Sequence, residues 1–422
     1  MTRIVVLAFG TRGDVAPLTG LGARLRDELG VGVAIAAQRP YEELIGAAGL
    51  DYRLLPHDTE KQTRSSDYGQ ALVDGKRMRP AKEALDGMRA DLVGVGEAMA
   101  EAAADADLVL CEGPVGALLG WHAAQAIGVP SMGVMLQPAY PTGDFTPPAL
   151  GTRSFGRWGN RRVWAMADSG EKLFTPLIDD LRRTLGLPPR TRTEYQRERA
   201  RTWPQLCGFS ERVLPRPADW PGHLHVTGYW WPATDPAYTP TPELRRFLDK
   251  GPPPVYVSLG STATSRGAQV SDTVRTALRA AGMRGIVHRG WAGLDGGDDP
   301  HLLTVDDLPH DWLLPKTVAA IHHCGAGTTA ATLRAGVPSI AVPGIMDQPF
   351  WARRLHRLHT APAPLRRVDL TADALTRALT TIAEDPAYRE NARQVSTALR
   401  AEDGAATACH LVERLLDASP QG

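Results

Sequence analysis

The stretch Ala319-Ala320-Ile321-His322-His323-Cys324-Gly325-Ala326-Gly327-Thr328-Thr329 begins as an apolar run and ends in small residues that open a helical pattern. It predicts a buried strand, a tight turn and a helix N-terminus in direct succession. Small residues let backbone N–H groups approach an anion, and the helix end adds roughly half a positive charge. A phosphate group fits such a turn. His322 and His323 are neighbours on a strand and so point to opposite faces, which places at most one of them at the turn and suits a shared metal badly. His323 is read as the phosphate-facing donor, with a structural histidine as the alternative. Gly325, Ala326, Gly327 and Thr328 supply the turn.

The same alternation of β-branched apolar runs with helical patterns extends in both directions. Strands are expected at 4–9, 31–36, 52–55, 108–111 and 131–135, and again at 255–259, 285–288, 302–305, 319–323 and 339–342. Leu18, Leu21, Leu25 and Leu29 recur at steps of three and four, so an amphipathic helix follows the first strand. The pattern predicts an α/β chain with two doubly wound parallel sheets. Pro221, Pro232, Pro236, Pro240, Pro242 and the triplet Pro252-Pro253-Pro254 mark the joint. The expected organisation is an amino lobe over 1–218, a Pro-rich linker over 219–254, a second lobe over 255–384, and a helical segment over 385–422 that packs back across the lobes. In that segment Ala408, Leu411, Val412, Leu415 and Leu416 share one face.

Composition narrows the function classes. Of 422 residues 43% are hydrophobic and 22% charged, enough for a large core. Lys+Arg 47 balance Asp+Glu 47, so no overall field favours nucleic acid or an anionic membrane, and a small-molecule partner is expected. Cys111, Cys207, Cys324 and Cys409 show no metal-ligand spacing and suit a reducing, cytoplasmic setting. The first apolar run is too short for an export signal. The charge-free stretch between Glu112 and Asp144 is broken by Pro130, Pro138, His122, Gln125 and Gln137, so no membrane insertion is expected. No metal is expected either, because Asp105-Ala106-Asp107 precedes an amino-lobe strand, and Asp298-Asp299 and Asp306-Asp307 read as loop charges.

Gly325 to Ala330 also fits the GxGxxA form of a dinucleotide fingerprint, with Asp347 about 20 residues on. Against that rival, Asp347 lies beyond the next strand instead of ending it. The adjacent pair Asp347-Gln348 offers several acceptors and two donors, which suits a polyhydroxyl ligand. A second polar turn, Gly10-Thr11-Arg12-Gly13-Asp14-Val15-Ala16-Pro17, joins the first strand to the first helix, where open α/β sheets place ligands.

The run from His322 to Trp351, with Leu333-Arg334-Ala335-Gly336-Val337-Pro338 and Asp347-Gln348 in order, resembles the donor motif of nucleotide-sugar-dependent glycosyltransferases with the GT-B fold. It is most similar to the sterol and antibiotic-aglycone branch. The resemblance implies two Rossmann-like lobes facing a central cleft, with a UDP-sugar or dTDP-sugar in the second lobe and no other cofactor. It implies that His323 and the turn 325–328 hold the diphosphate, that Asp347 and Gln348 hold sugar hydroxyls, and that Ser261, in the turn after 255–259, lies beside the diphosphate. A similar Gly-Thr/Ser-Arg-Gly-Asp turn replaces the catalytic histidine of other members. Asp14 matches its aspartate, and a carboxylate there can take the acceptor's proton. A plain helix N-cap explains Asp14 as well. Arg12 is read as a neutraliser of the leaving diphosphate, or as a surface salt bridge.

This chain departs from plant-type relatives, which place a tryptophan on the base and a glutamate on the ribose. Those positions are Val305 and Ala331, so base contacts are expected from backbone and apolar groups around Val305 and Leu308, and uridine versus thymidine stays open. Cys324 stands where the sterol-like branch usually has glycine. An apolar acceptor site is expected in the amino lobe, with Met132, Met135 and Phe145 as candidates. Trp158, Trp164 and Tyr140 accompany them, and core packing competes for each. The segment 59–88 reads as a variable loop. The reading is an inverting glycosyltransferase for polyketide, macrolide or sterol-like acceptors. The open alternatives are an epimerase of the same fold, an NAD-binding oxidoreductase and an inactive binder, with a homodimer also open.

Overall fold

The computed structural model describes residues 1–65, 69, 70, 73, 82–233 and 238–418. Each predicted apolar run forms a strand, and every strand pairing is parallel. The amino lobe holds β1 (Arg3–Leu7), β2 (Gly32–Ala37), β3 (Asp51–Leu54), β4 (Leu108–Glu112), β5 (Ser131–Met135), β6 (Gln205–Cys207) and β7 (Leu224–Val226), in the order β3-β2-β1-β4-β5-β6-β7. The second lobe holds β8 (Val255–Ser258), β9 (Gly285–His288), β10 (Leu302–Val305), β11 (Ala319–His322) and β12 (Ser339–Ala341), in the order β10-β9-β8-β11-β12. Both sheets have the α/β, doubly wound, Rossmann-like arrangement. The order reverses between β1 and β4 in one lobe and between β8 and β11 in the other, and a crevice opens at the carboxyl ends of the strands at such points.

That topology positions the site. Leu7 pairs with Cys111 and Ser258 with His322. The turns after β1, β4, β8 and β11 therefore meet at the two crevices. The helix Arg12–Leu29 is fixed behind the first turn by fully buried Leu18, Leu21 and Leu25, and it stops at Gly30 in the left-handed region, φ 62.

Several elements differ from the sequence reading. β6 and β7 are three residues each, and β7 lies within 219–254, so the first sheet runs on into the proline-rich stretch. Pro236 lies outside the described residues, as do 66–68, 71, 72 and 74–81 of the expected loop over 59–88. The described ends of that loop are helical, Thr59–Ser65 and Lys82–Ala90. Asp58 caps the first by accepting the Lys61 N–H at 3.0 Å, and Glu60 pairs with Arg64 at 2.7 Å. The terminal segment divides into Ala387–Arg400 and Gly404–Ala418. The former packs on the helix Ala326–Ala335 of the second lobe, while Ala408, Cys409 and Val412 of the latter join the amino-lobe core. The crossing needs glycine: a Cβ on Gly404 would lie 2.6 Å from the Tyr229 carbonyl oxygen. No described helix is long and apolar enough to cross a membrane.

Candidate active site in the cleft between the lobes

A cavity of about 1190 Å³ lies between the lobes, lined on one side by Thr11, Arg12, Asp14 and Glu112 and on the other by Ser261, His323, the turn 325–328, Asp347 and Gln348. On the amino-lobe side, Thr11 donates to Asp14 Oδ2 from both its backbone N–H, at 2.6 Å, and its hydroxyl, at 2.9 Å. This completes a capping box on the helix Arg12–Leu29 and fixes the carboxylate. Gly10 must be glycine, because a Cβ there would sit 2.3 Å from Asp14 Oδ2. Burial raises the Asp14 pKa despite the Thr11 donors.

Glu112 ends β4 beside this turn. It is 2% exposed, and burial followed by the charge of Asp14 raises its carboxyl well above the usual range. Sequence reading missed it. The available signal was an acid closing an otherwise apolar strand.

On the second lobe, His323 lies in a slot that two glycines make. A Cβ on Gly260, whose φ is 56, would lie 2.4 Å from His323 Cε1, and one on Gly325 would lie 2.5 Å from Nε2. Burial lowers the His323 pKa well below 6.5, so the ring is neutral and offers a hydrogen-bond donor instead of a charge. His322 points to the other face, where its Nδ1 accepts the Cys324 N–H at 3.2 Å. Gly325 caps the helix Ala326–Ala335 without a side chain, which leaves the first N–H groups to a ligand. Cys324 adopts φ 64, the region glycine favours, and Met346, just before Asp347, adopts φ 54.

Asp347 Oδ2 accepts the Trp351 Nε1–H at 2.8 Å. Burial pushes its carboxyl up to about 7, and the charge of Asp14 adds to the rise. Carboxyls of both lobes thus feel one another across the cavity. Gln348 Oε1 accepts the Gly344 N–H at 2.8 Å, so only its NH₂ remains for a ligand. Arg12 lines the cavity but forms an ion pair with Asp307 at 3.0 Å. Asp307 also binds His288 Nε2 at 3.0 Å, and His288 Nδ1 bonds the Ser258 hydroxyl at 3.0 Å. The chain of contacts joins the amino-lobe turn to the end of β8.

Three expected contacts are not at the cavity. Met132 is 2% exposed in the amino-lobe core, because it and Met135 fall on opposite faces of β5; Met135 lines the cavity. Phe145 packs edge-on against Phe350 at 5.2 Å, closing the lobes together. Val305 packs in the second-lobe core, while Leu308 does line the cavity. The dinucleotide rival lacks its ribose acid, since β12 ends at Ala341. Among the described residues no cluster of His, Cys, Asp and Glu is arranged for a metal ion.

Known proteins resemble this chain throughout. Residues 299–414 match the family model for the C-terminal domain of erythromycin biosynthesis protein CIII-like proteins. The chain is 35% identical to O-mycaminosyltylonolide 6-deoxyallosyltransferase of Streptomyces fradiae, over 97% of each chain. It is 29% identical to a sterol 3-beta-glucosyltransferase of Arabidopsis thaliana, over 98% of this chain and 68% of that one. Among solved structures, the glycosyltransferase of kitacinnamycin matches with TM-score 0.72 and 19% identity, covering 98% of this chain and 99% of that one. The glycosyltransferase VinC in complex with DTDP matches with TM-score 0.65 and 20% identity, covering 99% and 100%. At these identities the structural matches bear on fold alone.

Proposed function

Because this chain belongs to the macrolide- and sterol-type branch of the GT-B glycosyltransferases, we propose that it moves a sugar, with inversion, from a UDP- or dTDP-sugar to a hydroxyl of an apolar polyketide, macrolide or sterol-like acceptor. The carrying observation is one cavity lined both by a buried carboxylate, Asp14, and by the His323 turn with Asp347. The 1–218 lobe takes the acceptor and the 255–384 lobe the donor.

In this reading Thr11 holds Asp14 Oδ2, and Oδ1 takes the acceptor's proton as its oxygen attacks the anomeric carbon. The bond from that carbon to the diphosphate oxygen breaks in the same step. The departing charge is met by the open N–H groups at Ala326, Gly327 and Thr328, by the neutral His323 N–H and by Ser261. Arg12 reaches the leaving group only by exchanging Asp307 for it. Asp347 and the Gln348 NH₂ bind sugar hydroxyls, and Leu308 flanks the base.

The test is a screen of UDP- and dTDP-sugars against a panel of apolar alcohols and phenols, read by mass spectrometry. A product heavier than its acceptor by one sugar unit supports the reading. Donor consumed equally with and without acceptor refutes transfer.

A further inference from the structure

The helix Gly156–Asp168 turns an apolar face to solvent. Trp158, Arg162 and Met166 follow at steps of four, and Phe155 precedes them on the same side. Phe155, Trp158 and Met166 are 53%, 68% and 72% exposed, and Leu150 in the preceding turn is 59% exposed. These side chains cannot rotate inward, because the other face is fastened. Asn160 and Trp164 are buried there, donating to the carbonyls of Gly143 and Phe145, each at 2.8 Å.

Charge is distributed unevenly around this face. On its flank Arg157 and Arg161 are neutralised by Asp144 and Asp219, at 2.7 and 2.8 Å. On the face itself, the Arg162 guanidinium lies 3.8 Å over the Trp158 ring and that of Arg153 5.1 Å over Phe155. Neither has a carboxylate partner among the described residues. Aromatic and thioether groups ringed by unpaired guanidinium groups suit the boundary between anionic headgroups and acyl chains.

We propose that this face docks the protein peripherally on an anionic lipid bilayer, with Phe155, Trp158 and Met166 entering the headgroup boundary and Arg153 and Arg162 meeting lipid phosphates. A second copy of the chain is a poorer occupant, since a two-fold contact sets the same unpaired arginines against themselves. The segment leading into the helix reaches the second lobe: Thr152 O accepts from Arg353, and Phe145 packs edge-on against Phe350. Both partners sit on the helix Gln348–Arg357, whose first residue lines the cavity. The segment that carries the docked face is therefore fastened to a helix that borders the cleft. Its use in collecting an apolar acceptor from the bilayer rests on the glycosyl-transfer reading, whereas vesicle binding does not.

The test is flotation of the full chain with vesicles of equal parts phosphatidylglycerol and phosphatidylcholine, or of phosphatidylcholine alone. The variants are Arg153→Glu with Arg162→Glu, and Trp158→Ser with Met166→Ser, each checked for parent-like circular dichroism and melting. The parent should bind the anionic vesicles and weaken at raised salt. Each double variant should bind at least about tenfold less, a loss of roughly 1.4 kcal/mol. The proposal is overturned by a parent that ignores anionic vesicles, by variants that bind like the parent, or by a concentration-dependent dimer that the Trp158→Ser, Met166→Ser pair abolishes.

Discussion

Gly260→Ala tests the assignment of His323 without touching a ligand-binding side chain. The new Cβ would lie 2.4 Å from His323 Cε1 and 2.9 Å from Nε2. Carbon contacts are comfortable near 3.5 Å, so the ring must retreat by about 1 Å. The ring is therefore displaced from the position it holds between Gly260 and Gly325. A hydrogen bond from a neutral donor to a charged diphosphate contributes about 1.5–3 kcal/mol, which corresponds to roughly 10- to 150-fold in affinity. Calorimetric titration with UDP and dTDP should therefore show that loss. Because φ is 56 at this position, the variant also loses roughly 1–2 kcal/mol of stability, which a melting curve separates from binding. His323→Ala should lose a similar affinity, and Gly260→Ala added to it should lose no more. Parent-like affinity of Gly260→Ala, or an equal further loss in the His323→Ala background, would refute the role of the ring.

The other expectations concern the carboxyls. Gly10→Ala puts a Cβ 2.3 Å from Asp14 Oδ2, so turnover should fall by about 10²-fold or more while nucleotide affinity, by calorimetry, is unchanged. Asp347 keeps its proton up to about pH 7 in the folded chain, whereas the unfolded chain loses it in the ordinary carboxylate range. Stability should hence fall as pH rises between those values, and Asp347→Asn should flatten melting temperatures over about pH 4–7. Affinity for the sugar nucleotide, but not for the bare diphosphate, should rise as pH passes about 7 and Asp347 ionises into a better acceptor of sugar hydroxyls. Glu112 is raised in the same sense by burial and Asp14, so Glu112→Gln should remove a further part of the alkaline decline, again seen in melting curves.

The fold was legible because parallel strands buried on both faces must be written as long β-branched runs, as at β1 and β11. The three-residue strands β6 and β7 leave no periodic signal, and pairing with β5 makes them strands. At the site, the turn after β11 and the Asp14 turn were legible because small residues and caps act locally. What depends on tertiary burial was not. The neutrality of His323, the protonated tendency of Glu112 and the diversion of Arg12 to Asp307 all arise where distant segments meet. Met132 is a different case, since its odd spacing from Met135 on one strand already separates the two faces.

If Asp14 is the base of a sugar transfer, single-turnover measurement on Asp14→Asn with donor bound isolates the step in which it acts. The amide keeps the shape of the carboxylate but cannot take the acceptor's proton. The rate should fall by roughly 10²–10⁴, or about 3–5 kcal/mol at the transition state, with the nucleotide dissociation constant unchanged. A transfer rate equal to the parent's would contradict it.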